Sequence, residues 1–446
     1  MINVIIEVSK YLLILMVMIY TYLNFSYFRH QDFRKQDRIC AYQNILMFLL
    51  HFAAFVVLYL KAEDDRIVLL YLAQAVFLIA YLVLYRLFYR NRSGILINNQ
   101  CMLLSIGFII LTRLSFEKSL RQFLIVTVAA VVTLLIPFIM DHVWQISGIP
   151  WVYGVGGLIL LAVVWMIGNN SFGAQLSISV GGVSFQPSEF VKITFVFFVA
   201  AMFYQSVNFK NVAVTTAVAA AHVLILVLSK DLGSALIFFV TYLTMLFVAT
   251  SNWFYLVSGL LAGCGASMLA YRLFEHVRTR VLAWQNPWAD IDNRGYQITQ
   301  SLFAIGTGGW FGMGLYCGMP YKIPVVGKDF VFAAISEELG GIFALCVLLI
   351  CLGCFLQFML VAGKMQAMFY KLIAFGMGMV YILQVFLTVG GVIKFIPSTG
   401  VTLPFVSYGG SSIFSMFIVF GVLQGLYILK KDDEEDYEER YTKSEG

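Results

Sequence analysis

Leu372 to Leu387 reads LIAFGMGMVYILQVFL, and Val212 to Leu228 reads VAVTTAVAAAHVLILVL. Neither stretch alternates apolar and polar residues as a membrane β-strand does. Neither keeps the polar stripe of a helix that faces water on one side. Both are apolar on nearly every side, and roughly 20 such residues, at about 1.5 Å each, cross the roughly 30 Å of a bilayer's hydrocarbon. Runs of this kind recur from the N-terminus to Lys430. Over the whole chain of 446 residues, 61% are apolar and 12% charged, and mean hydropathy is +0.87. That composition excludes a water-facing surface and predicts an all-α polytopic membrane protein. The net charge of +5 sums basic loops with an acidic tail, so it gives no indication of a nucleic-acid partner.

Thirteen spans are expected, at about 3–23, 43–61, 67–85, 97–113, 123–140, 151–168, 188–206, 211–229, 232–250, 254–271, 330–361, 367–391 and 408–430. The first has neither a basic n-region nor a small-residue cleavage site, so it is expected to stay as a membrane helix. Basic loops remain cytoplasmic. Arg29, Arg34, Lys35 and Arg38, then Arg86, Arg90 and Arg92, then Lys364 and Lys371, then Lys430 and Lys431 all fall on one face of a thirteen-span chain. The N-terminus is then external and the C-terminus cytoplasmic. Arg113, Lys118 and Arg121 count against this and are outnumbered. Two long external loops result, 168–187 and 272–329, and the second is rich in charges, aromatics and glycines that suit a ligand-facing surface.

Ionisable residues at membrane depth are costly and tend to face a cavity or a partner. Glu189 and Lys192, three residues apart on one helix, can pair with each other or contact a ligand. Lys230 and Asp231 occupy a turn between spans, with the same two readings. Asp329 is expected at the start of the eleventh span, with Glu337 about 12 Å beneath it along one helix; a plain N-cap is its structural reading. Gln300 and Ser301 suit hydrogen bonds to a sugar or peptide, and equally a helix cap. The seven cysteines mostly lie in apolar runs, where packing is the ordinary role, and the five histidines, His142 among them, are scattered.

Five blocks carry a resemblance: Gln186 to Lys192 (QPSEFVK), Asp231 to Ala235 (DLGSA), Asn286 to Leu315 (NPWADIDNRGYQITQSLFAIGTGGWFGMGL), Asp329 to Gly340 (DFVFAAISEELG) and Thr399 to Ser412 (TGVTLPFVSYGGSS). In this order they resemble the SEDS family (shape, elongation, division and sporulation), with its RodA-, FtsW- and SpoVE-like members. The resemblance implies a ten-helix core over 96–430 with its large external loop at 272–329, three additional membrane helices in 1–95 and an acidic cytoplasmic tail at 431–446. It also implies a peptidoglycan glycosyltransferase in the bacterial plasma membrane, polymerising lipid II at the outer face beside a class B penicillin-binding protein. Within the family pattern Asp329 matches the essential acidic residue, Glu189 the glutamate of the QPSE block, and Arg280 a basic residue ahead of the NP block.

Such chemistry asks for these residue types. Forming a β-1,4 bond from an α-linked lipid pyrophosphate inverts the anomeric carbon. One in-line attack needs a base at the acceptor hydroxyl, for which Asp329 is the candidate, and positive charge at the departing pyrophosphate. Arg278, Arg280, Lys192, Lys230 and Lys328 are the candidates for that charge, arginine being favoured where two hydrogen bonds are made at once. A divalent cation, Mg²⁺ or Mn²⁺, is a further candidate, although no cluster has metal-ligand spacing. Two departures from the family pattern stand out. Where a G-A-x-R-W segment is usual, the chain reads Gly173-Ala174-Gln175-Leu176-Ser177, and Lys328 precedes Asp329 where the pattern is P-E-x-x-T-D. Two other readings suit a many-helix bundle, a lipid II transporter and a non-catalytic scaffold for the transpeptidase. The clustering of intramembrane charge near one mouth favours chemistry.

Overall fold

The computed structural model describes residues 2–30, 32–140, 147–167, 169–171, 174–180 and 183–445. Its elements in chain order are α1 (Ile2–Tyr27), α2 (Phe33–Ala62), α3 (Asp65–Phe88), α4 (Gly94–Leu114), α5 (Phe116–Thr133), α6 (Ile136–Met140) and α7 (Pro150–Ile167). Strands β1 (Asn169–Ser171), β2 (Ala174–Val180) and β3 (Val183–Phe185) follow. Then come α8 (Ser188–Gln205), α9 (Phe209–Leu228), α10 (Leu232–Thr250), α11 (Trp253–Leu273), α12 (Glu275–Gln285) and α13 (Tyr296–Gly308). The chain closes with α14 (Val331–Leu339), α15 (Gly341–Lys364), α16 (Met368–Val392) and α17 (Gly410–Glu445). Twelve helical spans among the described residues are long and apolar enough to cross a membrane, and α7 is a shorter apolar helix. Each of the thirteen expected spans therefore has a counterpart, and the protein is a multi-pass membrane protein.

The structure corrects and extends the expectation in three places. The expected span 330–361 is two helices, because Gly340 adopts φ +94°, a left-handed conformation that ends α14 and restarts the chain as α15. The expected loop 168–187 holds a small antiparallel sheet in the order β1-β2-β3, with Asn170 opposite Gln175 and Ser179 opposite Ser184. The expected loop 272–329 contains α12 and α13. His142 and Gly173 lie outside the described residues, and Leu176 is placed only by its backbone in β2. The tail beyond Lys431 continues α17 as helix.

The chain divides into two compact units, one formed by 1–128, 279–354 and 384–409, the other by 129–278, 355–383 and 410–446. In the first, α4 is the central post, buried along nearly its whole length. Three consecutive polar residues, Asn98, Asn99 and Gln100, interrupt its apolar run. Successive residues of a helix point about 100° apart, and each of these reaches a different neighbour. Asn98 donates to Cys40 O and Gln43 Oε1 of α2 at 2.9 and 3.2 Å. Asn99 donates to Asn24 Oδ1 of α1 at 2.8 Å and accepts from the Tyr20 hydroxyl at 3.1 Å. Gln100 accepts from the Tyr81 hydroxyl of α3 at 3.2 Å. In lipid, where apolar contact alone gives little preference between helices, such bonds fix which faces meet. The three N-terminal helices are thus pinned to α4 one by one.

The second unit packs α7, α8, α9 and α10 together. Its α17 runs along α6, where Gly421 and Gly425 face Ile136 and Met140 closely enough that a side chain at Gly425 would collide with Met140. Small residues at such crossings let membrane helices approach.

Candidate functional site

Asp329 lies just before α14. The residue at the N-cap of that helix is Phe330, and no side chain caps it, so Asp329 is not spent on helix capping. Its backbone neighbours are tied instead to the segment between α16 and α17. Tyr408 N donates to Gly327 O at 2.7 Å, and the Ser407 hydroxyl donates to Lys328 O. Ser407 Oγ also accepts from Leu403 N at 2.9 Å. Gln122 of α5 closes the arrangement, donating to Ser407 O at 3.0 Å and accepting from Gly409 N at 3.2 Å. Pro397 and Pro404 keep the 393–409 segment out of helix, as expected of helix breakers. Gln384 and Thr388 of α16 bond to the carbonyls of Thr402 and Val401, which holds the segment against that helix.

Asp329 is half-buried. Gly400, at φ +76°, turns the chain past it, and a side chain there would stand 3.7 Å from Asp329 Oδ2. Lys328 is exposed beside it. Arg280, on α12, donates to Ser398 O at 3.3 Å on the same segment. Burial pushes the carboxyl up to about 6, although Lys328 and Arg280 both pull the other way. Such a group is mostly ionised at neutral pH yet basic enough to take a proton from a hydroxyl. In this unit Arg280, ahead of the NP block, meets the DFVF and TGVTLPFVSYG blocks around one acid and two cations. Ser301 is buried and donates to Val392 O at 2.8 Å, and Gln300 is half-buried on α13 beside it.

Behind Asp329, α14 carries a second charged group. Arg113, at the end of α4, pairs with Glu338 Oε1 at 2.9 Å and lies 4.1 Å over the Tyr316 ring. Arg113, which counted against the charge-derived topology, is thus engaged in a largely buried pair and is not a loop charge. Glu337 Oε1 accepts from Met319 N at 2.8 Å. The backbone of 308–314 pairs with α14's end, Met313 N to Glu337 O and Gly314 N to Glu338 O. Gly308 is required there, because a Cβ would sit 2.0 Å from Ser336 O. Sequence reasoning passed over Arg113 and Gln122. A lone arginine ending an otherwise apolar run was the available signal for the first, and Gln122 gave none.

The other predicted residues belong to the second unit. Glu189 Oε2 accepts from Lys192 Nζ at 2.9 Å and from the Ser415 hydroxyl at 3.0 Å. The pair is almost wholly buried, with side-chain exposures of 8% and 1%. Asp231 caps α10 through Ser234 N at 3.1 Å and accepts from Ser188 Oγ at 3.1 Å and Gln186 Nε2 at 3.4 Å. Gln186 N in turn donates to Ser411 Oγ at 2.9 Å. The QPSE and DLGS blocks and the residues after Gly410 therefore form one polar knot. Lys230 is exposed beside it, at φ +64°, and Arg278 is exposed on α12.

Among the described residues no three His, Cys, Asp or Glu side chains come together. The charged neighbours that act on Asp329 are Lys328 and Arg280. Among the described residues no ligand set for Mg²⁺ or Mn²⁺ is gathered.

An all-helical multi-pass bundle with a half-buried acid just ahead of α14 defines a class of membrane-embedded protein that presents a carboxylate beside two cations. Residues 95–431 match the family model of FtsW, RodA and SpoVE, described as "Cell cycle protein", and the chain belongs to that family. It is 34% identical over 313 residues to peptidoglycan glycosyltransferase RodA of Mycobacterium tuberculosis, covering 66% of each chain, slightly under two thirds of that relative's length. It is 32% identical over 320 residues to the probable peptidoglycan glycosyltransferase FtsW of Neisseria gonorrhoeae, covering 60% of this chain and 68% of that one. The fold resembles a chain of a solved peptidoglycan synthase complex that coordinates polymerization and crosslinking, with a TM-score of 0.64, 23% identity and coverage of 76% and 98%. It also resembles the rod shape determining protein RodA of Thermus thermophilus, with a TM-score of 0.57, 21% identity and coverage of 75% and 96%.

Proposed function

We propose that the protein is an inverting peptidoglycan glycosyltransferase that polymerises lipid II at the outer face of the bacterial plasma membrane, with its C-terminus cytoplasmic. The observation that carries this reading is Asp329: an acid held by its neighbours' backbone, freed from helix capping, raised by burial to about 6 and flanked by Arg280 and Lys328. The names of the mycobacterial and neisserial relatives support the same activity.

In the proposed reaction Asp329 accepts the proton of the acceptor's sugar hydroxyl as its oxygen attacks the anomeric carbon of the donor. The bond to the lipid pyrophosphate breaks on the opposite side, which inverts that carbon. Lys328 and Arg280 favour the ionised form of Asp329, the form that takes up the proton, and their positive potential is proposed to extend across the site to the charge developing on the pyrophosphate. Lys328, absent from the family pattern, is proposed to supply charge that Leu176 does not. The buried Glu189–Lys192 pair, which is bonded to Ser415, holds α8 to α17. Its contribution to substrate is through shape and not direct proton transfer. A class B penicillin-binding protein is the proposed partner that cross-links the strand.

The test is lipid II polymerisation by purified protein, alone and with its transpeptidase partner, comparing wild type with Asp329→Ala and separating products by gel. Glycan strands that disappear in the variant support the proposal. Absence of strands from folded, partner-bound wild type would refute it and leave the scaffold and transporter readings.

A further inference from the structure

The N-terminal helices lie outside the family match, which begins at residue 95. Between α2, α3 and the start of α4 is a cavity of about 350 Å³. Arg86, in the last turn of α3, and Arg92, in the link to α4, line one end of it. Neither guanidinium makes a hydrogen bond or ion pair with another described residue, and Arg92 is half-buried. Burial of an unpaired cation is unfavourable, and here desolvation lowers Arg92's hold on its proton despite the opposing field of Asp37. Asn44 adds a second unmet need, because its Oδ1 is buried in the same cavity with no hydrogen-bond donor.

The remainder of the cavity is apolar. Phe48 and Leu82 line it, and Ile79 and Val83 form a wall that is also exposed on the outer surface of α3. On a membrane-spanning helix that exposure is to lipid chains, so the cavity opens to the bilayer. Its charged end coincides with the helix ends, the level at which headgroups lie.

We propose that this cavity binds an anionic phospholipid with a hydroxyl-bearing headgroup. The phosphate sits between Arg86 and Arg92, a headgroup hydroxyl donates to Asn44 Oδ1, and an acyl chain descends along Ile79, Leu82 and Val83. Free inorganic phosphate shares the charge chemistry but has no use for the apolar wall. Asp37 lines the same end and opposes the ligand's charge, so it sets the affinity below what two arginines alone would give. The proposal stands on the N-terminal helices and does not depend on the activity assigned above.

The experiment is native mass spectrometry of the full-length protein released from micelles doped with phosphatidylglycerol or phosphatidylcholine. Retained phosphatidylglycerol should exceed phosphatidylcholine. Arg86→Gln and Arg92→Gln should each weaken retention about five-fold, and together about thirty-fold, as expected for arginines at a charged membrane surface. Asp37→Asn should strengthen it several-fold, a gain that misfolding does not produce. Equal retention of the two lipids, or no gain in Asp37→Asn, would overturn the proposal. Displacement of the lipid by millimolar inorganic phosphate would also overturn it, by assigning the cavity to the free ion.

Discussion

If Asp329 is kept in an environment that disfavours its charge, removing the charge should stabilise the protein while it abolishes activity. Its carboxyl is raised from the ordinary 3.8 to about 6. A group whose folded pKa lies above its unfolded value favours folding when protonated. That advantage is complete below 3.8 and is lost as pH rises through 6. The cost of holding the ionised form is about 3 kcal/mol at pH 8 and about 1 kcal/mol at pH 4.5, from 1.36 kcal/mol per unit. Attraction to Lys328 and Arg280 is already included, because it opposes the shift. Asp329→Asn keeps the shape and removes the charge. Thermal melting in detergent should therefore show the variant several degrees above wild type at pH 8, with most of the difference gone at pH 4.5. A variant that melts at or below wild type at pH 8, or a difference that ignores pH, would falsify the reasoning. An active site carrying an ionised acid in a partly buried place is a known source of such a trade between stability and function.

Strand synthesis should fall with unit slope below about pH 6, and Lys328→Ala, by removing a neighbouring cation, should move that midpoint upward; an unchanged profile and rate would show that Lys328 does not act on Asp329. Arg113→Ala strands Glu338, whose side chain is 1% exposed, and should destabilise the protein by about 3–5 kcal/mol, with Arg113→Ala/Glu338→Gln recovering part of the loss in the same melting assay. Gly308→Ala has no room, since its Cβ would meet Ser336 O at 2.0 Å, so the 308–314 chain must part from α14 and strand synthesis should drop at least ten-fold; wild-type rates would show that this pairing is dispensable. Gln122→Leu removes both bonds that clamp Ser407 and Gly409, and limited proteolysis should then cut the 397–409 segment faster than in wild type.

The helical membrane fold was legible because lipid leaves little choice: an apolar run of sufficient length becomes a helix whatever surrounds it. The break at Gly340 was not legible in the same way. The residues on both sides of it are apolar or acidic without a change of pattern, and only the pairing of 308–314 with 336–342 makes the left-handed turn profitable. Asp329 and Arg280 could be picked out by their motifs, yet nothing local announced that Ser398, Gly400 and Ser407 would stand beside them. Those contacts span 70 to about 120 residues of chain and belong to tertiary structure. For Asp231 a local signal existed, an aspartate three residues before Ser234 at a helix start, yet it was read as a partner of Lys230 or of a ligand, and the structure makes it the N-cap of α10. The Arg113–Glu338 pair joins residues 225 apart, and each looked like an isolated liability until the two met.

The polar triplet of α4 also bears on how the chain enters the membrane. Asn98, Asn99 and Gln100 would make the fourth segment a poor candidate for transfer into lipid by itself. Synthesis proceeds from the N-terminus, so α1, α2 and α3, which hold Asn24, Gln43 and Tyr81, are made before it. When α4 arrives, its partners are already in the bilayer. The N-terminal helices can thus serve as a receiving template for the first helix of the family core, and a chain begun at residue 95 would have to insert that helix with three side chains unsatisfied.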